Sequence, residues 1–102
     1  MKLKVLASGS SGNCYLLENK DEILIIECGI NFKRIQEGLN YHTGKVVGCL
    51  VSHEHKDHCK SIEQLIENGI DVYTSTGTIK SLELEESYRL KSIKSHELIK
   101  VG

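Results

Sequence analysis

Two short runs, Ile23-Leu24-Ile25-Ile26 and Val46-Val47-Gly48-Cys49-Leu50-Val51, carry no polar side chain apart from one thiol, and they constrain the fold more than any other feature. A half-exposed strand alternates and an amphipathic helix repeats every three to four residues, but these runs do neither. They read as strands in the interior of a sheet. Between them, Asn31 is placed to cap a helix, and Phe32, Ile35 and Leu39 recur on one stripe, which predicts a helix over 32–39. Strands alternating with helices imply a layered α/β architecture.

The opening of the chain modifies that picture. Lys2 to Ser8 alternates, with Leu3, Val5 and Ala7 on one face, and runs into the dense turn signal Gly9-Ser10-Ser11-Gly12-Asn13. Cys14 to Glu18 supplies the returning strand and Asn19-Lys20-Asp21 a second tight turn, so the first strands are antiparallel and the sheet is mixed. Further on, Ser61-Ile62-Glu63-Gln64 has the form of a capping box, with Ile62, Leu65 and Ile66 on one face and Gly69 as the stop. Asp71 to Thr74 reads as another strand, 77–86 as helix by propensity, and 88–101 alternates only weakly.

The chain of 102 residues carries 13 Lys+Arg against 14 Asp+Glu, so no global basic field points to nucleic acid or membrane, and any partner is recognised at a local site. With one Phe and no Trp, the core rests on Ile, Leu and Val, and a single small domain over 1–102 is the expectation. No run reaches the ~18 apolar residues of a membrane span and no signal-peptide pattern opens the chain, so the expected location is cytoplasmic. The four cysteines contain no C-x-x-C pair and read as reduced thiols, with Cys14, Cys28 and Cys49 buried and Cys59 undecided beside the histidines.

Chemistry concentrates in His53-Glu54-His55-Lys56-Asp57-His58, directly after the second apolar run. In an extended segment His53, His55 and Asp57 share one side, and a turn at Asp57 swings His58 toward the same pocket. Imidazoles plus a carboxylate suit Zn(II), Mn(II) or non-haem Fe, and the lack of paired thiols argues against a closed structural zinc site. Chance assembly of three His and one Asp in this register is a matter of a few in ten thousand shuffles, on the order of what a specific motif gives. His42 and His96, each alone in a polar stretch, read as solvated.

Ala7-Ser8-Gly9-Ser10-Ser11-Gly12-Asn13 between two strands, Glu27-Cys28-Gly29 after a buried strand, and Val51-Ser52-His53-Glu54-His55-Lys56-Asp57-His58 together resemble the opening of the metallo-β-lactamase-fold hydrolases. The Ser-Gly-Ser-Ser-Gly-Asn turn is similar to the YycJ-like nucleases and their phage relatives. The resemblance implies the N-terminal half of an αββα sandwich: a mixed β-sheet with helices on one face. It implies two divalent metal ions, zinc before manganese or iron, with His53 and His55 on the first and Asp57 and His58 on the second. Asp57 would also orient the bridging hydroxide. Glu27 stands where the family carries an acidic residue, usually Asp, behind the metals.

The function expected from this resemblance is a metal-dependent phosphodiesterase or nuclease acting on DNA or RNA, with this chain supplying half of the ligands. The resemblance reaches about half of the family's domain, so the chain alone is expected to be inactive or nearly so. Lys56, Lys60 and Lys80 offer weak support for phosphate contact. Two alternatives stand beside it. One is an inactive half-fold that pairs with another chain or forms a homo-oligomer over its exposed apolar faces. The other is a hydrolase of thioester, lactone or β-lactam substrates, since fold does not fix function.

Overall fold

The computed structural model describes residues 1–52, 60–81 and 89–93. Within them, strands β1 (Lys2–Ala7), β2 (Cys14–Glu18), β3 (Ile23–Ile26), β4 (Val46–Leu50), β5 (Val72–Thr74) and β6 (Leu90–Ser92) form one sheet in chain order. Helix α1 (Phe32–Gly38) and a short 3₁₀ turn (Thr43–Lys45) join β3 to β4, α2 (Ile62–Glu67) precedes β5, and α3 (Thr76–Ser81) follows it. β1, β2 and β3 pair antiparallel through the two tight turns, whereas β3 to β6 pair parallel. The expected mixed sheet is therefore present, and the helix expected over 77–86 is observed as α3, with 82–88 and most of 88–101 outside the described residues.

One row of the register organises the core. Leu16, Ile25, Cys49, Val72 and Leu90 are consecutive partners across five strands, and all are essentially without solvent exposure. Ile35 and Leu39 from the α1 region, Ile62 and Leu65 from α2, and Ile79 from α3 join the same cluster, so the helices cover this face of the sheet. The opposite face carries the next rows: Leu3, Leu17 and Leu24, then Val5, Tyr15, Ile26, Leu50 and Tyr73. These are half-buried, and at the β1 edge Leu3 and Val5 are exposed. The apolar alternation of β1 thus belongs to the face away from the helices. Lys4 occupies the helix-side row instead, where its Nζ donates to the Gly38 carbonyl at 2.8 Å and satisfies the end of α1. Arg34 reaches back from α1 to the Leu6 carbonyl at 3.0 Å.

The helix ends use other devices than the sequence signals suggested. Asn31 and Ser61 sit at the N-cap positions of α1 and α2, but neither side chain caps its helix. The Ser61 hydroxyl donates instead to the Ile30 carbonyl, an interelement bond that outcompetes the local capping box. Gly69 does end α2, at φ +80°, with the Ile70 amide closing back on the Leu65 carbonyl.

Gly12 is also fixed by geometry. Its φ is +152°, and a Cβ there would lie 2.6 Å from the Gly29 carbonyl oxygen and 2.8 Å from the Ile30 side chain. The Gly12→Ala variant is expected to lose roughly 1–3 kcal/mol in urea unfolding, because backbone must move to admit the methyl group. At Gly44 a Cβ meets nothing within 4 Å, so Gly44→Ala serves as the neutral control.

Candidate metal and phosphodiester site

The residues that bear on the site meet at the loop Glu27–Ile30, which leaves the C-terminal end of β3. Parallel pairing places that end beside the end of β4, and the Glu27 amide prolongs the ladder by donating to the Leu50 carbonyl at 2.8 Å. Glu27 then takes a left-handed backbone conformation, φ +65°, uncommon for a residue with a side chain. The turn drives its carboxylate inward, where it is 5% exposed. One oxygen accepts from the Ser52 amide at 2.6 Å and the other from the Ser52 hydroxyl at 2.9 Å. Two charge-directed bonds to one residue offset much of the cost of burying a carboxylate.

The same loop holds the chain again nine residues later. The Cys28 carbonyl accepts from the Ser61 amide at 2.9 Å, and the Ile30 carbonyl accepts from the Ser61 hydroxyl. Ser52 and Ser61 therefore bracket the histidine-rich segment, and both are fastened to residues 27–30. The turn at 9–13 docks on this loop as well: the Gly29 amide donates to the Asn13 carbonyl at 2.9 Å. The turn keeps its shape through the Asn13 side chain, which exchanges bonds with the Gly9 amide and carbonyl at 3.2 and 3.0 Å.

His53, His55, Asp57 and His58 lie outside the described residues, as do Lys56, Cys59 and His96. Of the remaining sequence candidates, Glu27 is buried against Ser52, while His42, Lys60 and Lys80 are exposed. Sequence reasoning missed Ser52 and reduced Ser61 to a helix cap. Their only signal was position, a hydroxyl on each side of the metal-competent segment. Among the described residues no group of three or more His, Cys, Asp or Glu is placed to hold a metal ion.

Cys14, Cys28 and Cys49 are free, buried thiols, as expected from their apolar flanks, and Cys28 lies in the loop itself. Burial, with Cys28 and Glu27 nearby, pushes the Cys14 thiol up to about 12. The Cys49 thiol is also pushed well up, by its hydrogen bond to Cys28 and by burial. Cys14 and Cys49 therefore stay protonated, and all three side chains serve as core.

Three comparisons place this geometry among known proteins. The sequence model of the family described as "Anti-Pycsar protein Apyc1" matches residues 5–95. The chain is 34% identical over 86 residues to the exodeoxyribonuclease WalJ of Streptococcus pneumoniae, covering 80% of this chain and 32% of that protein. It is 31% identical over 91 residues to the exodeoxyribonuclease YycJ of Bacillus anthracis, covering 81% and 33%. The chain thus spans about a third of the length of these curated relatives. Among solved structures, the metallo-β-lactamase fold protein YhfI from Bacillus subtilis superposes with a TM-score of 0.70 at 20% identity, over 98% of this chain and 48% of that one.

Two predictions follow from the clamp and the thiols. Glu27→Ala removes both bonds to Ser52 and is expected to cost roughly 1–3 kcal/mol in urea unfolding. Glu27→Gly loses the same bonds but relieves the left-handed backbone, a gain of about 1 kcal/mol, so it should fall measurably closer to wild type. The thiol whose pKa is raised from 9.0 to about 12 favours the folded state fully below pH 9. Above that the unfolded chain releases its proton first, and stability declines up to about pH 12. Unfolding midpoints measured between pH 8 and 11 should therefore fall, and Cys14→Ala should flatten the decline.

Proposed function

Because this chain belongs to the Anti-Pycsar protein Apyc1 family and has the metallo-β-lactamase fold of the YycJ-like nucleases, we propose that it is the N-terminal part of a metal-dependent phosphodiester hydrolase acting on DNA. The observation that carries the reading is the double anchoring of Ser52 and Ser61 by residues 27–30. A segment with His53, His55, Asp57 and His58 between two fixed ends is preorganised at its flanks, as a ligand set requires.

The donor set of His53, His55, Asp57 and His58, three imidazoles and an aspartate, fits divalent cations, with no competing cluster among the described residues. His53 and His55 would hold one ion, Asp57 and His58 a second, zinc before manganese or iron. Such ions supply Lewis-acid polarisation of the phosphoryl group and a nucleophile at neutral pH. The chain's own residues do the rest. Asp57 orients the attacking water, and Glu27 fixes the start of the ligand segment through Ser52. The apolar second face of the sheet is where the other layer of an αββα sandwich packs. Full activity accordingly requires that layer, and relatives acting as exodeoxyribonucleases favour DNA over RNA.

The test compares the 102-residue chain with the complete reading frame that contains it, using metal analysis and a 5′- and 3′-labelled DNA substrate. Metal-dependent DNA cleavage by the complete product is expected, lost on chelation and reduced at least about a hundredfold in His55→Ala and Asp57→Ala. The isolated chain is expected to be inactive or nearly so. Cleavage that survives both substitutions would overturn the assignment.

A further inference from the structure

Strand β4 ends at Leu50, yet Val51 and Ser52 are still held by both neighbouring strands before the chain reaches the histidine-rich segment. On the β5 side the Val51 amide donates to the Tyr73 carbonyl at 3.0 Å, and the Val51 carbonyl accepts from the Thr74 hydroxyl at 2.8 Å. On the β3 side the Glu27 carboxylate receives the Ser52 amide. In a strand the amide and carbonyl of one residue face one neighbour and those of the next residue face the other. Val51 turned to β5 and Ser52 turned to β3 therefore continue the alternation of β4.

The holding groups are side chains because the neighbours have already left the sheet. Continued parallel pairing would bring the Glu27 carbonyl to the Ser52 amide and the Ser75 amide to the Val51 carbonyl. Glu27 has by then turned left-handed, at φ +65°. Ser75 has entered the start of α3, where its carbonyl accepts from the Ile79 amide at 3.1 Å and its hydroxyl from the Thr78 amide at 3.0 Å. A carboxylate and a hydroxyl thus stand in for two backbone groups.

The residue type at position 74 suits this part. Thr74 is 1% exposed and lies two residues after Val72, on the core side of β5, where a valine would fill the same space. Packing alone does not ask for the hydroxyl, and a buried hydroxyl is costly without a partner. Here the partner is the carbonyl directly before Ser52, and the branched Cβ restricts χ1 and keeps the hydroxyl aimed at it. We infer that Thr74 is a positioning residue for the metal-ligand segment: with Glu27 on the opposite side, its hydroxyl carries β4 past the ends of both neighbours and fixes where the chain passes into His53. The inference rests on the reading of His53, His55, Asp57 and His58 as metal ligands, and it extends the anchoring of that segment to β5.

The test uses the product of the complete reading frame. Zinc affinity is measured by competition with a chromophoric chelator, and the visible absorption of the cobalt form is recorded, in wild type, Thr74→Val, Thr74→Ser and Thr78→Val. Thr74→Val should weaken zinc binding about tenfold or more and change the cobalt spectrum. Thr74→Ser keeps the hydroxyl and should bring both back close to wild type. Thr78 is the structural control, 2% exposed, with its hydroxyl accepting from that of Ser75 at 2.9 Å. Thr78→Val should leave zinc affinity and the cobalt spectrum unchanged even where it lowers the urea midpoint. Should Thr74→Val fail to fold, Thr74→Ala against Thr74→Ser isolates the same hydroxyl. Unchanged zinc affinity in Thr74→Val, no recovery in Thr74→Ser, or an equal loss in Thr78→Val would each overturn the inference and leave the ligand assignment standing. A wild-type product that binds no zinc, or binds it equally well after His55→Ala, would instead overturn the ligand assignment and this inference with it.

Discussion

Four residues, Glu27 to Ile30, determine where everything else at this end of the molecule can lie. They leave β3 in the direction set by its parallel pairing with β4, and within that short span they engage the first turn, the end of β4 and the start of α2. The loop is tight enough that its left-handed start falls on a glutamate, and at Gly12 it leaves no room for a side chain on the turn that faces it. A left-handed residue with a side chain costs on the order of 1 kcal/mol, and a buried carboxylate costs several more if left unpaired. Both are sustained because one side chain satisfies itself on Ser52 while turning the chain. Removing either the turn or the bonds leaves the other as an uncompensated cost.

That arrangement depends in turn on the sheet. Leu16, Ile25, Cys49, Val72 and Leu90 share one row across β2 to β6, which fixes the register of every parallel pair, since a slip of one residue would put this row on the opposite face. The thiols fit the same logic. Cys14, Cys28 and Cys49 are small and buried, and they belong to the same core cluster as this row.

Most of this architecture was legible in the sequence, for reasons that differ by element. The doubly apolar runs announced β3 and β4 because interior strands need apolar residues at every position, and the tight turns announced the antiparallel start. The helix stripe at Phe32, Ile35 and Leu39 was equally direct. The failures were all of tertiary origin. The alternation of β1 was legible, but not which of its faces turns to the helices: Lys4 takes the helix-side row and donates to the Gly38 carbonyl, a partner thirty-four residues away. Ser61 matched a local capping pattern but serves the Ile30 carbonyl, a partner thirty-one residues away. The histidine-rich segment stood out by residue type and Glu27 through the family resemblance, whereas Ser52 and Ser61 became visible only once the loop between them and β3 was in place.

The choice of glutamate at position 27 follows from this geometry. An aspartate would draw the carboxylate back by one methylene, about 1.5 Å, from partners that now stand at 2.6 and 2.9 Å. The shorter side chain would hold its carboxylate farther from the amide and hydroxyl of Ser52 unless the loop shifted. A shift of the loop would carry the Cys28 and Ile30 carbonyls with it, and so the anchor of Ser61. The length of one side chain thus sets the position of both ends of the segment between Ser52 and Ser61. The length of the glutamate side chain and the left-handed backbone that carries it have to be read as a single feature.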